Sequence, residues 1–147
     1  MSIKPKHSIT IILLFLAALS LIFGLTLQNS QKSAELSQNV QQFLQTAFER
    51  LGIRTNGLRI LTSDNHHFRK YAHTAEFFLL GIACALLFRR SKHGFWKALL
   101  FCAVISLTDQ SLKFLVPGRE FDFTDFPYDA IGYVTAALLA RILSRFP

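Results

Sequence analysis

Long uncharged, mostly apolar segments constrain the fold of this 147-residue chain more than any other feature. The first of them, residues 8–27, holds twenty residues without a charge. At a rise of 1.5 Å per residue, a helix of this length crosses a hydrocarbon core of about 30 Å. Only 17% of the residues are charged, whereas a typical soluble domain has about 25%. The pattern therefore predicts an integral membrane protein.

Four segments have the composition of membrane spans, at about 8–27, 71–88, 95–112 and 128–143. The last two are short, but lysine and arginine side chains near their ends can reach the interface and extend their usable length. A cleaved signal peptide is the alternative for 8–27. We disfavour it because the apolar stretch is too long and no small-x-small cleavage site follows.

The polar segment between the first two spans contains one more predicted helix. Apolar residues recur at helical spacing over about 34–51, and Gly52 supplies a stop signal. Glutamines occupy the opposite face, so this amphipathic helix would lie along the interface or cap the bundle. The sequence thus predicts an all-α fold, a bundle of four transmembrane helices with an extra amphipathic helix in the first outer loop. Residues 1–147 would form a single domain.

The formal net charge of +7 would suggest nucleic acid in a soluble protein. Here the basic residues flank apolar segments, so we expect the lipid bilayer with its anionic headgroups to be the partner, and no nucleic acid. Cys84 and Cys102 lie inside apolar segments. We interpret them as small buried hydrophobes and not as a disulfide or a metal pair.

Four spans would place both termini on one side, together with the loop between the second and third spans. That side is basic and without acidic residues, through Lys4, Lys6, Arg89, Arg90, Lys92, Lys97, Arg141 and Arg145. The positive-inside rule then predicts a bacterial plasma membrane protein with cytoplasmic termini. Six basic residues in the 28–70 loop oppose this assignment, but they are dilute and mixed with acidic residues.

In this topology, the polar residues of the spans gather near the outer face of the membrane. His73 and Glu76 lie three residues apart and share a helix face. An ionisable residue inside a span costs about 2.5–3.5 kcal/mol on insertion scales, so Glu76 needs a partner, and Arg119 or Lys70 could supply it. The full predicted cluster is Lys70, His73, Glu76, Asp109, Arg119, Asp125 and Asp129.

The cluster has two readings, a ligand-binding or catalytic pocket and a structural network. In the second, the charges neutralise one another and Asp129 caps the fourth helix. Intramembrane ionisable groups are functional by default, so we favour the pocket. No H-E-x-x-H spacing is present, so we assign no metal and no cofactor. Small residues also recur every four positions, which predicts close helix packing, at Gly81 and Ala85; Ala98, Cys102 and Ser106; and Gly132, Ala136 and Ala140.

Two ordered motifs resemble the signatures of the VanZ-like family. The first is Lys70-x-x-His73-x-x-Glu76 on a helix. The second runs from Asp109-Gln110 through the Pro117-Gly118-Arg119 turn to Asp125, Asp129 and Gly132. Many members carry Glu where this chain has Gln110 and Gln where it has Lys113. Because Lys113 lies four residues after Asp109, it could pair with Asp109 and make the site more neutral.

The resemblance implies a multi-pass bacterial membrane protein. The namesake of the family is linked to low-level resistance to teicoplanin, a lipoglycopeptide. We favour a non-enzymatic protein that binds a lipid-linked or lipoglycopeptide ligand at the outer leaflet, alone or as a homo-oligomer. The outer loop would add an aromatic rim through Phe114, Phe121, Phe123 and Phe126. The alternatives are a membrane enzyme, with catalytic candidates His73, Glu76 and Asp125, and a structural subunit of a membrane complex.

Overall fold

The computed structural model of the chain describes residues 5–53, 55 and 58–144, and this part is all-helical. The prediction of an all-α fold is therefore confirmed. The elements are α1 (Pro5–Thr26), α2 (Ser30–Arg50), α3 (Arg59–Thr62), α4 (Asn65–Phe88), α5 (Gly94–Leu112), a 3-10 turn (Lys113–Leu115) and α6 (Asp125–Leu143). Outside the described residues lie Lys4, Arg54 and Arg145, and the side chains of Lys6 and Arg59.

Three helices are long and apolar enough to cross a membrane within the part that the structure describes. These segments are Ile9–Thr26, Asn65–Phe88 and Gly94–Leu115. Helix α6 has 19 residues, but two aspartates and an arginine reduce its hydropathy, and it is not among the three. The fourth span therefore stays a prediction.

Side-chain caps fix where two of the helices begin. Asn29 accepts a hydrogen bond from the backbone N–H of Lys32 at 2.8 Å, so α2 begins four residues before the predicted 34. Asp64 accepts from the N–H of His67 at 2.9 Å, so α4 begins six residues before the predicted 71. The hydrogen bond from that backbone N–H lowers the pKa of Asp64 below its ordinary value. As a result, Lys70, His73 and Glu76 lie about one and a half to three turns after the start of α4.

Helix α2 occupies the region of the predicted amphipathic helix. None of its residues is buried in the protein, and Phe43 on its apolar stripe is 70% exposed. Its polar contacts include two hydrogen bonds from the Gln41 amide to the carbonyl oxygens of Leu61 and Ser63, at 2.8 and 2.9 Å. The interfacial role of this stripe remains an interpretation.

Helices α4 and α6 form the most extensive helix pair of the protein. Glycines allow this approach. A Cβ atom on Gly81 would lie 2.8 Å from the Cα of Tyr133, and one on Gly132 would lie 2.3 Å from the carbonyl oxygen of Thr74. The Thr74 hydroxyl also donates to the carbonyl oxygen of Tyr128 at 3.1 Å. The prediction of small-residue packing is confirmed for this pair.

The apolar core lies beneath the polar cluster and joins α1, α4 and α5. Phe77, Leu80 and Ile22 are fully buried there. Cys84 and Cys102 are buried in the same core as free thiols, as the sequence predicts. The core thus holds three helices at fixed positions under the site.

Candidate functional site

Polar side chains from four helices converge at one end of the bundle. They come from the last turn of α1, the first half of α4, the last turns of α5 and the first turns of α6. Seven of these polar residues are buried: Thr26, Ser106, Asp109, Gln110, Lys113, Asp125 and Asp129. Buried groups of this kind are costly unless they pair, so their contacts define what the site can do.

Lys113 forms the strongest pair of the cluster. Its Nζ lies 2.6 Å from Oδ2 of Asp125, and both side chains are almost completely enclosed. The Gln110 amide donates to the same oxygen at 3.3 Å. The expectation that Lys113 pairs with Asp109 is wrong. Helix α5 ends in the 3-10 turn at Lys113–Leu115, and the Lys113 side chain contacts Asp125 on α6 instead. Lys113 therefore neutralises Asp125.

Asp129 lies one turn deeper than Asp125. The Ser106 hydroxyl donates to its Oδ2 at 2.7 Å, and its Oδ1 lies 3.9 Å from Nδ1 of His73. The alternative that Asp129 caps α6 is wrong, because α6 begins at Asp125 and Thr124 occupies the N-cap position. Ser106, which the sequence suggested only for helix packing, belongs to the polar cluster as well.

His73 lies between two carboxylates. Its Nδ1 is 3.7 Å from Oε2 of Glu76 and 3.9 Å from Oδ1 of Asp129, which is ion-pair range but longer than a hydrogen bond. Among the described residues, no lysine or arginine forms a salt bridge with Glu76, so the predicted ion pair with Arg119 or Lys70 is not formed. Asp109 is held from the other side by a short hydrogen bond with the Thr26 hydroxyl.

Several buried atoms of the cluster have no hydrogen-bond partner in the described part of the protein. They are His73 Nδ1, Asp109 Oδ2, Gln110 Oε1, Arg119 Nε and Asp129 Oδ1. Buried polar atoms almost always have a partner in a protein, an ordered water or a ligand. The cluster therefore has capacity for further hydrogen bonds at these five atoms.

A polar cleft of about 310 Å³ opens above the cluster. Its cationic walls come from Arg69, Lys70 and Arg119, and its acidic wall includes Asp122 and Asp125. Burial raises the pKa of Asp122, but the hydrogen bonds from Thr124 outweigh burial and hold that pKa below its ordinary value. Asp122 therefore remains an anion beside the arginines.

A second, mainly apolar cleft of about 210 Å³ lies between α1, α2 and α4. Apolar side chains dominate its walls, namely Leu21, Leu25, Leu36 and Val40. Arg69, His73 and Arg119 line both this cleft and the polar one. The two cavities therefore share a wall made of two arginines and one histidine.

Arg69 and Arg119 place two like charges at that shared wall. Burial lowers the pKa of Arg119 most, and the nearby positive charge of Arg69 lowers it further. Neither guanidinium forms a salt bridge with a carboxylate among the described residues. Two adjacent cations of this kind are stabilised by an anion that contacts both.

Sequence reasoning missed Arg69 and gave its role to Lys70. Lys70 lines the polar cleft, but its Nζ donates to the Thr124 hydroxyl at 2.6 Å and lies 5.5 Å from the ring centre of Tyr128. The signal for Arg69 is present in the spacing. Arg69, His73 and Glu76 are related by i, i+4 and i+7 and therefore lie on one helix face.

The loop between α5 and α6 carries the predicted aromatic cluster. Phe121 has ring-centre distances of 5.5 Å to Phe114, 4.6 Å to Phe123 and 5.8 Å to Phe126. Phe114 and Phe123 are 71% and 76% exposed. Phe121 also lines the polar cleft. The loop therefore presents an aromatic surface beside the entrance to the site.

No group of three or more histidine, cysteine, aspartate or glutamate side chains that could hold a metal ion occurs among the described residues. A family model described as VanZ/LLP1 matches residues 11–144. This match includes α1 from Ile11 onward, the whole of α6 and everything between them. Comparisons with curated proteins and with solved structures gave no significant match.

Proposed function

The chain belongs to the VanZ/LLP1 family, and from this membership we propose that it binds an amphiphile with an anionic head and a lipid tail. The observation that carries the proposal is the wall shared by the two clefts. Arg69, His73 and Arg119 line a polar cavity on one side and an apolar cavity on the other. A ligand that fills both would place its charge at this wall.

The head of the ligand would contact the two guanidinium groups. Arginine donates paired N–H groups in a fork that suits carboxylates and phosphates. Arg119 Nε is buried without a partner in the described structure, so it has a free donor. The polar cleft of about 310 Å³ accommodates a head group larger than a single phosphate. These features favour a lipid-linked phosphate or an acidic lipopeptide.

The tail of the ligand would lie in the apolar cleft and continue into the bilayer. Leu21 and Leu25 on α1 and Leu36 and Val40 on α2 form its walls. This contact would also give α2 an apolar partner, since its stripe is otherwise exposed. The family resemblance suggests teicoplanin, an acylated glycopeptide, as one amphiphile of this kind, and susceptibility to it as one consequence of binding.

We further propose that α6 is the fourth span and that the polar cleft faces outward, with both termini in the cytoplasm. Single cysteines at Gln31, Lys92 and Glu120, in a background where Cys84 and Cys102 are alanine, test this in cells. We expect a membrane-impermeant maleimide to label positions 31 and 120 but not 92. All three positions are exposed, so a difference in labelling reports sidedness. Labelling of position 92 alone would show the inverted topology, and the proposal of a ligand at the cell surface would then be wrong.

Binding is tested with the full chain in phosphatidylcholine nanodiscs, using undecaprenyl phosphate and teicoplanin as probes. We expect Arg119→Gln and Arg69→Gln each to weaken binding of the probe about tenfold, as the loss of one charge-assisted hydrogen bond implies. Arg50→Gln is the matched control, because Arg50 is exposed on α2 and lines neither cleft. Equal weakening by all three variants, or no binding of either probe, would contradict the proposal.

A membrane enzyme is the second candidate, and one observation favours it. His73 Nδ1 lies between Glu76 and Asp129 without a hydrogen bond, which is an arrangement that can accept and pass a proton. The same nanodisc assay distinguishes the two functions. Chemical change of undecaprenyl phosphate that Glu76→Gln abolishes, with binding retained, would show an enzyme. Recovery of unchanged probe supports a binding protein.

A further inference from the structure

A third cleft, of about 350 Å³, lies at the opposite end of the bundle from the polar cluster. It is formed where α4 ends, α5 begins and α6 ends. Arg89 and Arg141 supply its charge, and Phe95, Trp96 and small residues such as Ala140 supply its apolar walls. The cleft is therefore amphipathic, with a basic rim and an apolar interior.

No carboxylate pairs with the two arginines of this cleft in the part of the chain that the structure describes. The sequence contains no acidic residue between Glu76 and Asp109, and none after Asp129. Asp129 lies twelve residues before Arg141 on the same helix, which corresponds to about 18 Å. Neither Arg89 nor Arg141 forms a salt bridge among the residues that the structure describes.

Contacts in the cleft hold one of these arginines in place. The guanidinium carbon of Arg141 lies 5.0 Å from the ring centre of Phe95, a cation–π distance that leaves the edge N–H groups free to donate. The N-terminus of the 19-residue helix α5 adds a partial positive charge at the same place. Trp96 is 66% exposed next to it, as an interfacial anchor would be.

We propose that this cleft binds the phosphate group of an anionic phospholipid, held between Arg89 and Arg141. Basic pockets between transmembrane helices are recognised sites for anionic lipid headgroups. The phosphate would contact the arginines, and the glycerol and the first part of an acyl chain would pack against Trp96 and the alanines of the cleft. This lipid would join the ends of α4 and α6, independently of the ligand in the polar cleft.

The test measures lipids retained by the full-length protein after extraction in mild detergent, by native mass spectrometry. Phosphatidylglycerol and phosphatidylcholine, added in equal amounts, are the probes. We expect the wild type to retain phosphatidylglycerol preferentially. Arg89→Gln and Arg141→Gln should each weaken that retention about tenfold, since each removes one charge-assisted contact.

Arg90→Gln is the matched control, because Arg90 is exposed next to Arg89 but does not line the cleft. It changes the net charge by the same amount and should retain the lipid. If Arg90→Gln lost as much phosphatidylglycerol as the cleft variants, diffuse surface charge would account for the retention and the proposal would be overturned. Equal retention of the two lipids by the wild type would also overturn it. Displacement of phosphatidylglycerol by an equal concentration of inorganic phosphate would also overturn it, because the cleft would then recognise phosphate without the lipid.

Discussion

Replacement of Lys113 by methionine is expected to lower the free energy of unfolding by about 3–5 kcal/mol, because it leaves the buried Asp125 carboxylate without its cation. The Lys113 Nζ lies 2.6 Å from Asp125, and both side chains are almost completely enclosed. Only the Gln110 amide, at 3.3 Å, would still donate to that oxygen. Circular dichroism of the purified protein during titration with SDS in mixed micelles measures the change.

Two controls define the cause of that loss. Lys97→Met removes an exposed lysine near the start of α5, the helix that ends just before Lys113, and substitutions of this kind usually change stability by less than about 0.5 kcal/mol. The double variant Lys113→Met with Asp125→Leu removes both charges, so it should recover most of the stability. If Lys113→Met alone lowered the free energy of unfolding no more than Lys97→Met, the buried pair would contribute little to stability.

Gly132→Ala is expected to destabilise the protein by about 3 kcal/mol, at the upper end of the range for overpacked cores. The new Cβ would lie 2.3 Å from the Thr74 carbonyl oxygen and 2.9 Å from the backbone nitrogen of Phe78. Backbone atoms cannot turn aside as a side chain can, so α4 and α6 must separate. The separation would move Asp129 away from His73 and would also weaken the ligand binding proposed above.

Gly24→Ala is the matched control for this variant. A Cβ atom at Gly24 would meet nothing within 4 Å, and the position lies inside helix α1. Alanine is favoured over glycine in a helix by up to about 1 kcal/mol, so Gly24→Ala should be neutral or slightly stabilising. The same SDS titration measures both variants. Similar behaviour of Gly132→Ala and Gly24→Ala would contradict the close helix contact inferred here.

Hydropathy and spacing predicted the helices well, since they depend on local sequence. The uncharged segment 8–27 corresponds to α1, which ends at Thr26, and segment 95–112 corresponds to α5. Small-residue spacing also indicated close helix packing, which Gly81 and Gly132 bear out for α4 and α6. The boundary of α4 was less accurate, because its first turn is polar and depends on the Asp64 cap for its start.

The partners within the polar cluster could not be predicted in the same way. Lys113 lies four residues from Asp109, which favours a pair on a regular helix, but the helix changes to a 3-10 turn at that residue. The partner of Lys113 is Asp125, across a loop whose path the sequence does not specify. Arg69 was missed for a different reason. Its helical spacing to His73 was visible, but the apolar cleft that it lines depends on the position of α2.

The pair between Lys113 and Asp125 also has a consequence for biogenesis. Helix α6 is synthesised after α5 and carries two aspartates in its first half, and a lone aspartate at the centre of a span opposes insertion by several kcal/mol. Ser106 on α5 and Lys113 directly after it emerge from the ribosome earlier and supply contacts for both carboxylates. With α6 as the proposed fourth span, it would enter the lipid as the second half of a hairpin with α5, with Asp125 neutralised by Lys113 and Asp129 hydrogen-bonded to Ser106.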